Sequence, residues 1–173
     1  MTRTITAGLV LAAAVASASG QVVTLTAVLN GAQENPPVNT PATGTATLTI
    51  DRATRQFSID LQFSGLTSPT RVAHIHRAPT GSNGPVIVGL DGINGAWAFI
   101  PVGVTSFNSN GPVASPFLFP AAELENLLSG RTYFNVHSIN FPGGEIRGQI
   151  VPAPAGAALL GLGGLVAARR RRA

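Results

Sequence analysis

Cysteine is absent from the 173 residues, which removes disulfides and thiolate metal sites together and leaves stability to packing alone. Lysine is absent too, and charged residues amount to 10%. The few charges are unevenly placed, because Arg169, Arg170, Arg171 and Arg172 stand together near the end of the chain. The formal charge is +4 overall, yet between residues 21 and 152 six arginines face seven acids, a net −1. A near-neutral folded part has no basic face for a phosphate backbone, which excludes a nucleic-acid partner. No Gly-x-Ser-x-Gly elbow and no glycine-rich loop opening a helix are present, so the usual anchors of hydrolase and nucleotide chemistry are missing. Glu34 and Glu145 are candidates for paired carboxylates, but Glu34, before Pro36-Pro37, reads as a loop brace rather than an acid or base.

What remains is a chain of three parts. Residues 1–20 carry one positive charge at Arg3, an apolar run from Ala7 to Ala16 and small residues at Ala16-Ser17-Ala18 and Ala18-Ser19-Gly20. That pattern is a secretory signal peptide, cut by signal peptidase near Ala18 or Gly20. Its apolar run of about ten residues falls short of the roughly 20 that a membrane span needs. At the other end, residues 151–173 read Val151-Pro152-Ala153-Pro154, an uncharged apolar stretch to Ala168, then the arginines. A helix from Val151 to Ala168 would be about 27 Å long, marginally enough to cross a bilayer, with the arginines held on the cytoplasmic side.

Between these ends, residues 21–150 carry strand signals. Ala46, Leu48 and Ile50 alternate with threonines, and Phe57, Ile59, Leu61 and Phe63 alternate with polar residues. The polar stretch from Asp51 to Gln56 is short enough to join them as a hairpin. Further strands are expected at Val22–Leu29, Arg71–His76, Pro85–Val88, Ala96–Val102, Tyr133–Ile139 and Glu145–Val151. One short helix is expected at Ala121–Leu128, after Pro120 and before Gly130. Seven or eight short strands punctuated by glycine and proline predict an all-β antiparallel sandwich or barrel.

Four segments, in order, resemble the chordin-type CHRD domain. They are Leu29-Asn30-Gly31-Ala32-Gln33-Glu34-Asn35-Pro36-Pro37-Val38 with Ala42-Thr43-Gly44; Gly65-Leu66 leading to Ala73-His74-Ile75-His76 and Gly84-Pro85-Val86; the helix with Gly130; and Asn135-Val136-His137 with Pro142-Gly143-Gly144-Glu145-Ile146-Arg147-Gly148-Gln149. The resemblance implies an immunoglobulin-like β-sandwich and supplies little biochemistry. The tail resembles the PEP-CTERM sorting signal, with Ala153 where that signal usually has Glu. It implies an exosortase-like membrane enzyme that cuts near the motif, and transient inner-membrane anchoring. The alternative is a plain tail anchor.

All three histidines fall inside these segments. His74 and His76 stand two apart in a strand and share one face, opposite Ala73 and Ile75. In a later strand Phe134 and Val136 point to the core, which turns Tyr133, Asn135 and His137 the other way. A turn centred on Phe141 would set His137 opposite Glu145 and Asn135 opposite Arg147. One reading is a copper or zinc site of His74, His76 and His137, with Glu145 as fourth ligand or support and Asn135 and Arg147 beside it. The other is a hydrogen-bond network that pins the C-terminal hairpin to the His74 strand. Spacing alone leaves both open. Three histidines are too few for the two metals of copper-zinc superoxide dismutase, so at most weak metal-dependent redox activity is implied. The sequence therefore points first to an exported, non-catalytic surface or extracellular-matrix interaction module, and second to a secreted copper- or zinc-binding protein.

Overall fold

The computed structural model describes residues 22–91, 97 and 99–153. Nine strands run in chain order: β1 (Val22–Asn30), β2 (Thr43–Asp51), β3 (Gln56–Ser64), β4 (Thr70–Arg77), β5 (Val86–Gly89), β6 (Phe107–Asn108), β7 (Val113–Leu118), β8 (Thr132–Ser138) and β9 (Ile146–Pro152). The one α-helix among the described residues, α1 (Leu124–Leu128), follows a 3-10 turn at Ala121–Glu123. The antiparallel ladders join every strand into one sheet, in the order β5-β4-β8-β9-β1-β2-β3-β6, with β7 also on β3. The all-β class and the short helix are as expected. The ladders form one continuous sheet, strongly curled into a half-barrel.

The curl follows from the burial pattern. Inward residues from β1, β2, β3, β4, β8 and β9, including Leu25, Leu48, Ile59, Ile75, Phe134 and Ile150, form a single apolar cluster. One sheet can dry one face only by bending that face around itself or covering it. Both happen here. The segment after β5 crosses to the far edge: Leu90 accepts hydrogen bonds from the Phe99 and Ile100 amides, and Thr105 accepts one from Leu66. Trp97 packs edge-on against Phe57 of β3 and stacks on Phe99, which meets Phe107 of β6. Trp97, Phe99 and Ile100 are therefore core filler rather than part of the expected strand over Ala96–Val102; among the described residues of that span none is in a strand. Strand β7 has no counterpart in the sequence reading, because Pro116 argues against a strand. Its place beside β3, where the register is irregular, is where proline is tolerated.

The β2–β3 hairpin pairs Ile50 with Phe57, and Asp51 Oδ1 accepts the Ala53 and Thr54 amides to form its turn. The β8–β9 hairpin has the expected register, Asn135 opposite Arg147 and Val136 opposite Ile146. Strand β9 then continues past residue 150. Val151 and Pro152 pair with Thr26 and Leu25 of β1, and the Ala153 amide donates to the Thr24 carbonyl. The expected helix thus does not begin at Val151, where a β-branched residue and an end-of-strand proline suit the sheet. Pro154, the apolar stretch, Arg169 to Arg172 and the segment 1–20 lie outside the described residues. Among the described residues no helix is long and apolar enough to cross a membrane.

This end of β9 gives a direct check. Ile150 is fully buried whereas Val151 is 43% exposed. Ile150→Ala should cost about 2–5 kcal/mol and Val151→Ala no more than about 0.5 kcal/mol, read from denaturant melts of the two variants.

Candidate metal centre

Strand β8 is buried on all seven residues. Its inner side, Phe134 and Val136, joins the core. Its outer side, Tyr133, Asn135 and His137, is covered by residues from two loops, 31–42 and 78–85. The loops are tied to each other by Asn35 Nδ2 to the Gly81 carbonyl at 2.9 Å and Asn83 Nδ2 to the Asn35 carbonyl at 2.7 Å. They are tied to the sheet by Gln149 Nε2 to the Ala78 carbonyl and by the Gly84 amide to the Tyr133 hydroxyl. A polar layer is thereby sealed on the outside of the sheet, where strand alternation would normally leave it in water.

The neighbour of β8 on one side is β4, and the register sets His76 opposite Tyr133, His74 opposite Asn135 and Val72 opposite His137. All three histidines therefore share this outer layer. One ligand-capable nitrogen from each lies within 4.8 Å of the others. Which nitrogens face each other follows from their partners. His76 Nδ1 lies 2.9 Å from the Gly84 carbonyl and His137 Nδ1 lies 3.0 Å from the Pro142 carbonyl. A carbonyl only accepts, so each Nδ1 carries the proton and each Nε2 keeps a lone pair. His137 Nε2 is 3.3 Å from His74 Nδ1, while His74 Nε2 is 3.8 Å from Asp91 Oδ2 on the far side of its ring. His76 Nε2 is buried with no hydrogen-bond partner among the described residues. Three nitrogens thus converge, and the opposite nitrogen of each ring faces an oxygen, the arrangement that orients imidazoles toward a metal.

Electrostatics keep these rings neutral. Burial pushes His137 down to about 4, against the Pro142 carbonyl, which pulls it up. Burial also lowers His74, opposed by Asp91, and lowers His76, opposed by the Gly84 carbonyl and helped by His74 and Arg147. Neutral imidazole is the ligating form.

Glu145 is not at this cluster. Its carboxylate accepts Thr40 Oγ1 at 2.7 Å, the Thr67 amide at 2.8 Å and the Ser138 hydroxyl. Burial raises its pKa, and those hydrogen bonds bring the net value below the ordinary one. The β8–β9 ladder ends at Ile146, so the parity that was to aim Glu145 at His137 no longer applies one residue further on. Nor does Arg147 clamp Glu145. Its guanidinium lies 3.4 Å from the Tyr133 ring centroid, and Tyr133 stacks on His76 at 4.9 Å with the planes 9° apart. Arg147 is held there by Asn83 Oδ1 at 3.2 Å and the Pro79 carbonyl at 3.4 Å. Asn135 is buried beside Gly144, not at the converging nitrogens. The sequence reading missed Asp91, which comes from beyond β5 and carries no local signal, and the part of Tyr133 as the plate between Arg147 and His76.

Behind this layer sits Glu34, buried, with Oε1 unpartnered. Burial raises its pKa to about 7 against the pull of Arg147. A raised carboxyl stabilises the fold fully below the unfolded value near 4.5 and loses that contribution as pH rises through about 7. Glu34→Gln should therefore match the parent chain in melting temperature near pH 4 and exceed it above pH 7. His137 has the opposite sign, its contribution being present above 6.5 and lost as pH falls through about 4. Its imidazole signals should accordingly show no titration above pH 5 by NMR.

Known proteins place the chain in a family rather than beside a named relative. The CHRD domain model matches residues 25–150, well over half of the chain and nearly all of the described sheet. No curated protein and no solved structure matches it. The matched span contains all three histidines, Tyr133 and Arg147, and on that match the chain belongs to the CHRD-domain family.

Proposed function

We propose that this chain is an exported, non-catalytic CHRD module of the cell surface or extracellular matrix, and that its binding function is to hold one copper or zinc ion between His74, His76 and His137. The observation that carries the metal reading is the buried, unpartnered Nε2 of His76 beside the facing nitrogens of His74 and His137. A hydrogen-bond network would place a proton between each facing pair. One proton can serve His74 and His137, but none is left for His76, and burial opposes protonating a second ring. A metal ion satisfies all three lone pairs at once. Nitrogens bound at about 2.0–2.1 Å stand about 3.3–3.5 Å apart, and the His74–His137 separation of 3.3 Å is already there.

The absence of catalysis is supported by what surrounds the cluster. Among the described residues the carboxylate beside the cluster is Asp91, whose Oδ2 accepts the Ala73 amide. Export is supported by the segment 1–20 and by family membership, since CHRD domains occur in secreted or extracellular proteins. The tail is read as a PEP-CTERM-like signal cut by an exosortase-like enzyme, after transient anchoring at the inner membrane.

Protein isolated from its own host should contain about one copper or zinc per chain by elemental analysis. Added metal should raise the melting temperature of the metal-free chain, because a ligand of the folded state stabilises it by mass action. His76→Ala and His137→Ala should each abolish that shift, while Glu145→Gln, although destabilising, should keep it. A shift that survives both histidine changes would put the metal elsewhere. Copper-loaded protein should show no superoxide dismutation beyond that of free copper at the same concentration. By intact mass, the exported species should begin near Ser19 or Gln21 and lack Arg169 to Arg172; retention of the arginines outside the cell would refute the sorting reading.

A further inference from the structure

The charges around the three histidines bear on which ion they hold, given the metal site proposed above. All three donors are neutral imidazoles, so the ligands themselves cancel none of the ion's charge. Three carboxyl groups come near and none joins the cluster: Glu34 lies behind the layer next to Arg147, and the other two are held elsewhere. Asp91 sits behind His74, 3.8 Å from the nitrogen that faces away from the cluster, with Oδ2 on the Ala73 amide. Glu145 is held by Thr40, Thr67 and Ser138. On the other side a buried cation is fixed in place. Arg147 is 1% exposed and lies flat on Tyr133, which lies flat on His76. Its positive charge therefore stands two ring layers from the facing nitrogens, where it acts against a further positive charge at His76.

An ion entering this layer keeps its charge in a poorly hydrated place, since His76 and His137 are 9% and 7% exposed and only the His74 side chain opens to water. Desolvation cost grows with the square of the charge, so a dication loses about four times what a monocation loses. Imidazole donors suit zinc and copper alike, so donor type does not decide between them. Charge does. Three neutral nitrogens without an anionic side chain satisfy a monovalent d10 ion that accepts three-coordination, whereas Zn(II) and Cu(II) require a fourth ligand, which here can only be water or hydroxide admitted at the His74 edge.

We infer that the His74–His76–His137 site selects copper(I) over zinc(II) and copper(II). The adjacent Val72 offers the reverse experiment. It is half-buried on the same outer face and directly opposite His137 in the β4–β8 ladder, so Val72→Glu delivers the missing anion to the edge of the cluster.

The test is competition of the full chain against calibrated chelators, anaerobically for Cu(I), with Zn(II) and Cu(II) in parallel. Cu(I) is expected to bind at least about tenfold more tightly than either dication, about 1.4 kcal/mol. Val72→Glu is expected to close or invert that gap. Zinc(II) or copper(II) binding the parent chain more tightly than copper(I) would overturn the selectivity and leave the metal site standing. An unchanged order in folded Val72→Glu would overturn the charge argument behind it. Failure of all three ions to bind would overturn the selectivity and the proposed function together.

Discussion

Strand β8 has water on neither face, and the organisation of the site depends on that. A strand flanked by β4 and β9, with an apolar core beneath, would ordinarily present its alternate residues to solvent. Here residues of loops 31–42 and 78–85 close over them. Each polar group so enclosed must find a partner inside the protein or cost free energy. The ring nitrogens of His76 and His137 find backbone carbonyls at Gly84 and Pro142, and the guanidinium of Arg147 finds Asn83, Pro79 and the face of Tyr133. Among the groups left over is the inward side of the three imidazoles, with His76 Nε2 unpartnered. The metal reading rests on that remainder.

The order of layers also explains why side chains of mixed charge coexist under cover. Arg147, Tyr133 and His76 form a stack in which an always-charged group, a neutral ring and a neutral imidazole lie in sequence. The tyrosine ring gives the guanidinium a favourable face, and it keeps the charge a full ring away from a histidine that burial already holds neutral. Glu145 works separately, at the end of the hairpin. It fastens the loop carrying Thr40 and the β3–β4 connection at Thr67 to Ser138 of β8. The carboxylate that looks like a ligand in the sequence is thus a fastener, and Asp91, which has no recognisable context, is the one beside a histidine.

Much of the sheet was legible because alternation has a strict period of two. Ala46, Leu48, Ile50 and Phe57, Ile59, Leu61, Phe63 declare a buried face whatever the rest of the chain does, and the parity of His74 with His76 and of His137 with Asn135 holds in the structure. The β8–β9 register was legible for the same reason, since a short turn about Phe141 leaves few ways to keep Phe134, Val136, Ile146 and Ile150 inward. Strand β7 was not, because Ser115 and Pro116 interrupt the apolar residues and give no alternation to count. Trp97, Phe99 and Ile100 misled in the opposite direction: their apolar character is real, but it fills the hollow of the curled sheet rather than joining its ladder.

The sequence by itself determined which face of its strand each histidine occupies, because side-chain direction along a strand is a local property of the backbone. It determined too that thiolates and disulfides play no part in the folded span. Only the tertiary structure decided that β4 lies beside β8, although 54 residues separate Arg77 from Thr132. That choice depends on the total apolar area the sheet can bury and on how the intervening segment crosses its open side, which no local pattern records. It alone turned three histidines on matching faces into three nitrogens within 4.8 Å. It also assigned the nearby carboxylate to Asp91, since reach across a fold is fixed by packing and not by spacing along the chain.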